Sequence, residues 1–265
     1  MSYIRESSKN WFILSPGPRK QVIIPSKYPE ELVKYFLTKL LTTEKDWVLD
    51  PFVGIGSTNL ACAELERNCV GVDIQELYIE FAKVRLNEWC REHGKDIKLL
   101  ENYLIVADSR NINAELCAWF KNRNLEVPKF KLCITSPSYW KILERPGKEF
   151  IEKCEKLQIP YKYYEKPGDL TKIDDYETYI KTLVKIFNQV YLLMDKTAYL
   201  VVVLKNLKKY RLAWDFALEL VNSGGWQFFD EYIWCQDDVP LQPLSIGTYW
   251  NSTICHHYCL TFARG

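Results

Sequence analysis

Short apolar runs alternate along the chain with longer segments in which apolar and polar residues are mixed. The short runs predict β-strands at 47–52, 69–74, 103–108, 130–136 and 197–205. The longer segments have helical periodicity, and the first of them begins after Pro29 with Leu32 and Phe36 on one apolar face. Further helices are predicted at 57–66, 75–93, 112–122, 176–194 and 209–222. Strands that alternate with helices in this way indicate an α/β protein.

Two further strands close the chain, FFDEYIW at 228–234 and HHYCLTFA at 256–263, and they are expected to pair as an antiparallel edge hairpin. Together the strands predict a mostly parallel, seven-stranded sheet with helices on both faces. Residues 141–174 interrupt the alternation with a charged, proline-bearing stretch that is long for a loop. We therefore expect a single domain over 1–265, in which 141–174 is an inserted segment.

Composition narrows the class of protein. The chain has 265 residues, 48% of them hydrophobic, which is enough for one sizeable core. The 35 basic residues oppose 34 acidic ones, so a contact with nucleic acid needs a local patch rather than a net positive charge. The nine cysteines include no Cys-x-x-Cys pair, and no apolar stretch approaches the roughly 18 to 20 residues of a membrane span. We expect a cytoplasmic protein with free thiols and no membrane segment.

An acidic residue and a glycine turn follow the strand at 47–52, in the sequence DPFVGIG. Glycines at 54 and 56 let the backbone turn tightly and approach a ligand. Asp50 puts a negative charge beside this turn, which suits an ammonium group. Asp73 and Asp108 end the next two strands, and a carboxylate at the first of these positions can accept ribose hydroxyls. These features predict a site for an adenosine joined to an amino acid.

Other ligand-binding patterns fit less well. Gly54-x-Gly56 also opens the dinucleotide-binding fingerprint, but Asn59 stands where that fingerprint has glycine or alanine. A phosphate-binding P-loop is excluded because no Gly-Lys-Ser/Thr follows the glycines. The sequence CHHYC at 255–259 invites a metal site, yet on a strand its ligands would lie at i, i+2 and i+4, which is not the usual zinc spacing. We expect no metal.

The fourth strand ends in TSPSYW at 135–140, and here the sequence resembles the amino-group (cytosine-N4 / adenine-N6) DNA methyltransferases, whose motif is [Ser/Asn/Asp]-Pro-Pro-[Tyr/Phe/Trp]. PSKYPEELV, LDPFVGIGST, GVDI and VADS look like the cofactor segments of that family, and EYIW and HHYCLTFAR look like its last strands. The cofactor motifs precede the catalytic motif. The resemblance implies a class I, Rossmann-like methyltransferase fold, with S-adenosylmethionine as the cofactor and a flipped-out base as the substrate.

The resemblance also implies a role for each matching residue. Ser136 Oγ and the Pro137 carbonyl would accept the hydrogens of an exocyclic amine and favour the pyramidal nitrogen that attacks a methyl group. The flipped base would stack on Tyr139, with Trp140 as a second wall. Ser138 departs from the motif, which has a proline there to stiffen the turn. Cofactor contacts are expected at Lys27, Asp50, Phe52, Gly54, Gly56, Ser57, Thr58, Asp73, Ile74, Asp108 and Ser109.

The turn at 136–140, which carries the catalytic motif, is called the catalytic turn. Basic residues near this turn and after the fifth strand are expected to bind nucleic acid phosphates. They are Lys141, Lys205, Lys208, Lys209 and Arg211. The segment 141–174 mixes lysines with aromatic residues and is the first candidate for target recognition, and the loop 236–253 is the second.

The resemblance favours cytosine N4 in double-stranded DNA, because serine followed by Tyr-Trp is the form most often linked to that target. Adenine N6 in DNA and an exocyclic amine in RNA are the alternatives within the enzyme class. A non-catalytic nucleic-acid-binding subunit with a degenerate fold is the alternative outside it, and only Ser138 favours it. The resemblance further implies a restriction system, with a cognate endonuclease as partner. The oligomeric state stays open.

Overall fold

The computed structural model describes residues 10–14, 28–41, 43, 45–97, 100–140, 152, 168–207, 209–236 and 254–265. Its strands are β1 (Trp11–Ile13), β2 (Trp47–Asp50), β3 (Asn68–Asp73), β4 (Asn102–Val106), β5 (Phe130–Thr135), β6 (Met194–Leu204), β7 (Trp226–Cys235) and β8 (His256–Arg264). Its longer helices are α1 (Glu30–Leu40), α2 (Ser57–Glu64), α3 (Glu76–Glu92), α4 (Ile112–Lys121), α5 (Tyr176–Leu193) and α6 (Leu212–Asn222). The strands and helices therefore alternate as the sequence predicts.

All of these strands join one sheet, in the order β1-β7-β8-β6-β5-β2-β3-β4. The neighbouring strands pair in parallel except β8, which runs antiparallel to both β6 and β7. The prediction of seven strands was wrong, because β1 adds an eighth by pairing in parallel with β7, Trp11 opposite Ile233. The β7–β8 pair therefore does not form the edge. Three residues are too few for apolar periodicity to reveal a strand.

Side chains alternate between two hydrophobic layers, one on each face of the sheet. Leu49 points into the layer formed with α4, α5 and α6, whereas Val48 points into the layer formed with α1 and α2. Helix α3 packs beside α2. Asp175 starts α5, because its carboxylate accepts a hydrogen bond from the Thr178 amide at 2.6 Å. No helix in the described part of the chain is long and apolar enough to cross a membrane.

The sheet brings four loops to one edge. Strands β5, β2, β3 and β4 are parallel neighbours, so the loops that follow Thr135, Asp50, Asp73 and Val106 leave from the same end. The chain connects β2 to β3 on one side and reaches β5 on the other side only later, so the strand order reverses beside β2. A crevice is expected at such a reversal.

Candidate active site

Asp50 lies at this reversal and is completely buried. Its carboxylate accepts hydrogen bonds from the hydroxyls of Tyr28 at 2.6 Å, Thr58 at 2.5 Å and Thr135 at 2.6 Å. The Phe52 amide donates a fourth at 3.0 Å. Burial raises the pKa of Asp50, and these donors oppose the shift. These four donors give Asp50 a tethering role between the strand ends, and its predicted contact with an ammonium group stays a prediction.

The two glycines of the turn serve different purposes. Both have positive φ, +52° at Gly54 and +83° at Gly56, which favours glycine. The Gly54 amide donates to Asp73 at 3.1 Å and so ties the turn to the next strand. A Cβ on Gly56 would lie 2.8 Å from the Cβ of Ala82 in α3. Gly56 is therefore needed for helix packing, and its predicted contact with a ligand stays a prediction.

Ser57 and Thr58 also have partners within the protein. The Ser57 hydroxyl donates to Glu30 of α1 at 3.1 Å, and Arg85 donates to the same carboxylate at 2.5 Å. Thr58 donates to Asp50. These contacts hold α1, α2 and α3 together around the glycine turn. Ser57 and Thr58 therefore stabilise the turn through contacts within the protein. Lys27, the remaining predicted cofactor residue of this region, lies outside the described residues.

Asn59 shows why the dinucleotide-binding fingerprint fails here. Its side chain is buried and donates to the carbonyl of Tyr103 at 3.1 Å and to the side chain of Asn102. A Cβ on Gly71 of β3 would come within 2.2 Å of the Asn59 side chain. Glycine in the strand thus makes room for asparagine in the helix, the reverse of the fingerprint, in which the helix supplies the small residue.

A crevice opens at the carboxyl edge of β2, β3, β4 and β5. Five of the predicted cofactor residues line it, namely Phe52, Asp73, Ile74, Asp108 and Ser109. Seven residues without a predicted cofactor role also line it, namely Gln75, Arg110, Ser138, Gly168, Asp169, Leu170 and Ile186. Because Phe52 and Ser138 share the crevice, the turn after β2 and the turn after β5 face each other across it.

The acidic residues of the crevice differ in their surroundings. Asp73 accepts hydrogen bonds from the amides of Gln75 at 2.8 Å and Gly54 at 3.1 Å, yet burial raises the pKa of Asp73 to about 7. Asp108 forms an ion pair with Arg110 at 2.6 Å. The hydroxyl of Ser109 donates a hydrogen bond to the carbonyl of Pro51, which joins the loop after β4 to the loop after β2. Asp73 is thus the predicted acid with the freest carboxylate.

Two crevice residues that the sequence did not reveal have unpartnered polar atoms. Gln75 and Asp169 are both more than nine-tenths buried, and among the described residues no partner reaches Gln75 Nε2 or Asp169 Oδ2. Buried polar atoms are normally hydrogen-bonded, so these two are candidates for ligand contacts. Gln75 directly follows the GVDI segment, which could have pointed to it. Asp169 lies at the end of the inserted segment, where no motif singles it out.

A hydrogen bond from α5 supports the catalytic turn after β5. Ser136 is half-buried and Pro137 is buried. The buried Tyr179 donates a hydrogen bond of 2.7 Å from its hydroxyl to the Ser138 carbonyl. This bond restrains the turn at the position where the family motif has its second proline. The departure at Ser138 therefore does not leave the turn unsupported.

The sequence comparisons agree with this geometry. A model of the N6/N4 DNA methylase family matches residues 4–84. The Type II methyltransferase M.HpaI of Haemophilus parainfluenzae is 44% identical over 150 residues, which is 52% of this chain and 45% of that protein. M2.LlaDCHI of Lactococcus lactis subsp. cremoris, also a Type II methyltransferase, is 38% identical over 65 residues, or 23% of this chain and 24% of its own.

These matches show that the chain is similar to the amino-methyltransferase family. Its fold is the class I methyltransferase fold. A solved structure from Clostridium thermocellum, named as an rRNA methylase, matches it with a TM-score of 0.50 over 88% of this chain and 96% of that one, at 12% identity, which shows the fold alone. The chain spans less than half the length of the curated relatives above.

The two aromatic residues at 139 and 140 both have partners within the protein. Tyr139 is only 3% exposed, and its ring packs 6.4 Å from that of His257. Burial raises its pKa, which a side-chain hydrogen bond with Ser136 opposes. Trp140 donates its ring N–H to the Ile173 carbonyl at 2.7 Å. Trp140 therefore holds the segment before α5 in place, and its role as a second wall for a base stays a prediction.

The basic residues predicted to bind DNA are only partly described. Lys209 and Arg211 are exposed on the turn between β6 and α6, although Arg211 also lies 3.3 Å from Asp215. Lys205 is half-buried, and burial lowers its pKa. Lys141 and Lys208 lie outside the described residues. The ring of Tyr210, on the same turn, packs 4.9 Å from that of Trp140, so this turn contacts the catalytic turn directly.

The CHHYC sequence lies on β8 beside the catalytic turn. The His257 ring stacks on Trp234 at 4.6 Å. Burial lowers the pKa of His257 to about 3. Within the described ranges, no three His, Cys, Asp or Glu side chains are grouped as metal ligands.

Proposed function

We propose that this amino-methyltransferase methylates the exocyclic amino group of a flipped-out base in DNA, with cytosine N4 as the favoured target. The observation that carries the proposal is the shared crevice, in which the cofactor-side residues Phe52 and Asp73 meet Ser138 of the catalytic turn. A cofactor and a base must approach within bonding distance, and a crevice lined by both turns supports this. The description of the matching family model, DNA methylase, supports DNA as the substrate.

The chain's residues fit the cofactor. Asp73, partly buried at the end of β3, accepts the ribose hydroxyls, and Asp108 with Ser109 lies on the adenine side. Gln75 offers an unpartnered side-chain N–H to the same ligand. S-adenosylmethionine, when bound, supplies an electrophilic methyl group on a sulfonium. The crevice needs no metal for this chemistry, because methyl transfer to an amine is a direct displacement.

Ser136 and Pro137 position the nucleophile. The hydroxyl oxygen of Ser136 and the carbonyl oxygen of Pro137 accept the two hydrogens of the exocyclic amine, which directs the nitrogen lone pair away from the ring plane. The amine then gives up one proton to solvent. Tyr179 keeps these acceptors in place through the Ser138 carbonyl. Since Tyr139 is almost fully buried, its ring face must be uncovered as the base enters.

The preference for cytosine N4 rests on the Ser-Pro-x-Tyr-Trp form of the motif at 136–140. Lys209 and Arg211, exposed beside the catalytic turn, are proposed to contact phosphates, and Lys141, Lys205 and Lys208 are proposed to assist them. The inserted segment 141–174 is proposed to read the recognition sequence. A cognate restriction endonuclease is proposed as the genetic partner, as the names of the relatives suggest. One catalytic domain over 1–265 would contain all of these parts.

The test is to identify the methylated nucleoside. The chain is incubated with cofactor carrying a labelled methyl group and with mixed-sequence duplex DNA or structured RNA, after which the nucleic acid is digested and its nucleosides are separated by mass. We expect N4-methylcytosine from DNA. N6-methyladenine alone would overturn the cytosine assignment, label only in RNA would overturn DNA, and cofactor binding without any transfer would favour the non-catalytic subunit.

A Ser136→Ala variant in the same assay tests the nucleophile geometry. Loss of one positioning acceptor is expected to lower turnover about 100-fold while cofactor affinity stays within about twofold. Turnover equal to that of the wild type would remove Ser136 from the mechanism.

A further inference from the structure

The crevice contains more negative than positive side chains. Three carboxylates line it, and one of them, Asp108, is paired with the guanidinium of Arg110 at 2.6 Å. Asp73 is held by two backbone amides instead. Asp169 has no cationic partner among the described residues. The crevice therefore suits a ligand that carries positive charge.

The hydrogen bonds of Asp169 within the described residues use only one of its two carboxylate oxygens. The side chain is 8% exposed. Its Oδ1 accepts from the Thr171 amide at 2.9 Å and from the Thr171 hydroxyl at 2.8 Å, which caps the short helix Leu170–Lys172. Its Oδ2 is buried and has no hydrogen-bond partner in the described part of the chain. Capping uses one oxygen, so it does not explain why a carboxylate is present.

The position of Asp169 in the crevice depends on Gly168, the residue before it. Its φ of +118° is strained for any other residue. A Cβ there would lie 2.5 Å from Arg110 Nη2 and 2.9 Å from Asp108 Oδ2. The main chain at 168 is therefore packed directly against the Asp108–Arg110 pair. This contact fixes the next residue, Asp169, in the wall that also contains Asp73 and Ser138.

We propose that Asp169 interacts with the sulfonium charge of the cofactor and so makes the crevice prefer S-adenosylmethionine over the product S-adenosylhomocysteine, which lacks that charge. In the cofactor the sulfonium is attached to the ribose and carries the methyl group that must face the target. A residue that lines the same crevice as Asp73, the proposed ribose-binding residue, and Ser138 of the catalytic turn is placed for that charge. The proposal deepens the cofactor site of the proposed function, but it does not depend on which base is methylated.

Direct binding measurements test this inference without any methyl transfer. Calorimetry compares three ligands on the full chain: S-adenosylmethionine, S-adenosylhomocysteine, and sinefungin, in which a carbon bearing an amine replaces the sulfonium. Asp169→Asn keeps the shape and the capping oxygen but removes the charge. It is expected to weaken both cationic ligands about tenfold, the effect of losing one charge-assisted contact, and to change the neutral product less than about threefold.

Asp174→Asn is the matched control, because it removes the same charge from an exposed position on the same segment, outside the crevice lining. It is expected to leave all three affinities within about twofold. An equal loss for the three ligands in Asp169→Asn would mean a ribose contact or a structural role, and no loss would mean no ligand contact. Either result overturns the proposal. If Asp169→Asn fails to fold, Asp169→Ser supplies another neutral capping residue for the same comparison.

The outcome is separable from that of the proposed function. A chain that methylates no DNA yet binds the three ligands in the expected pattern keeps this inference and rejects the DNA activity. A chain that methylates DNA with equal ligand losses in Asp169→Asn does the opposite.

Discussion

The hydroxyl of Thr135 donates a hydrogen bond of 2.6 Å to the buried carboxylate of Asp50 and so joins the ends of β5 and β2. These two residues begin the catalytic turn and the cofactor turn. A buried carboxylate must keep its donors, since each missing donor leaves a charge unsolvated. The distance between the two turns is therefore set by one of the best-satisfied polar groups in the structure.

Thr135→Val tests this link, because valine has the same shape without the donor. It is expected to lower the free energy of unfolding by about 1 to 3 kcal/mol, the cost of an unsatisfied buried acceptor. Thr182→Val on the exposed face of α5 is the control, expected to change stability by less than about 0.5 kcal/mol. Urea titrations of both variants give the comparison, and equal effects would deny Thr135 its role.

The raised pKa of Asp73 leads to a prediction about how cofactor affinity depends on pH. Burial raises the pKa of Asp73 to about 7, so in the free protein its carboxylate loses its proton as the pH rises through neutrality. The ionised form accepts ribose hydroxyls best, so cofactor affinity is expected to rise about tenfold between about pH 6 and about pH 8 and then level off. Calorimetric titrations across this range measure it. Asp73→Asn should abolish the dependence, and a pH profile unchanged in the variant would assign it elsewhere.

Gly168→Ala tests the close contact of the inserted segment with the Asp108–Arg110 pair. Gly94→Ala is its control, since Gly94 also has a positive φ, +63°, but no atom within 4 Å of the added Cβ. Backbone strain alone is expected to lower the stability of each variant by about 1 kcal/mol. Only Gly168→Ala should also lower cofactor affinity, as the side chain displaces residues of the crevice wall. Equal cofactor affinities in the two variants would contradict this contact.

Tyr179→Phe tests whether the catalytic turn needs its support. Without the hydroxyl the Ser138 carbonyl loses its 2.7 Å bond. We expect kcat to fall about tenfold with the cofactor dissociation constant unchanged, since the loss affects positioning only. Tyr191→Phe on the same helix removes a comparable bond, to the Gly265 carbonyl at 3.0 Å, far from the turn. Steady-state kinetics of the two variants should differ, and equal kcat values would argue against the supporting role.

The sequence predicts most of the fold because its elements are long and strongly patterned. The strand predicted at 69–74 is found at Asn68–Asp73, and the helix predicted at 176–194 is found at Tyr176–Leu193. Strand β1 has only three residues, with the burial pattern exposed, buried, exposed, which no periodicity can distinguish from a loop. Its place in the sheet depends on pairing with β7, more than 200 residues later.

Crevice residues are predictable where their position follows from the end of a strand, as at Asp73. The role of Asp50 is not, because its donors Tyr28 and Thr135 are 22 and 85 residues away. Asp169 is not predictable either, since it reaches the crevice through the packing of Gly168 on Arg110. Such contacts depend on tertiary structure, and no local motif encodes them.

A crystal structure of the chain bound to S-adenosylhomocysteine would test the shared crevice most directly. We predict that the ribose hydroxyls lie within hydrogen-bond distance of Asp73 and that the sulfur faces the turn at Ser136–Ser138, with space beside it for a flat base. A product molecule bound elsewhere, or one whose sulfur points away from that turn, would contradict the account.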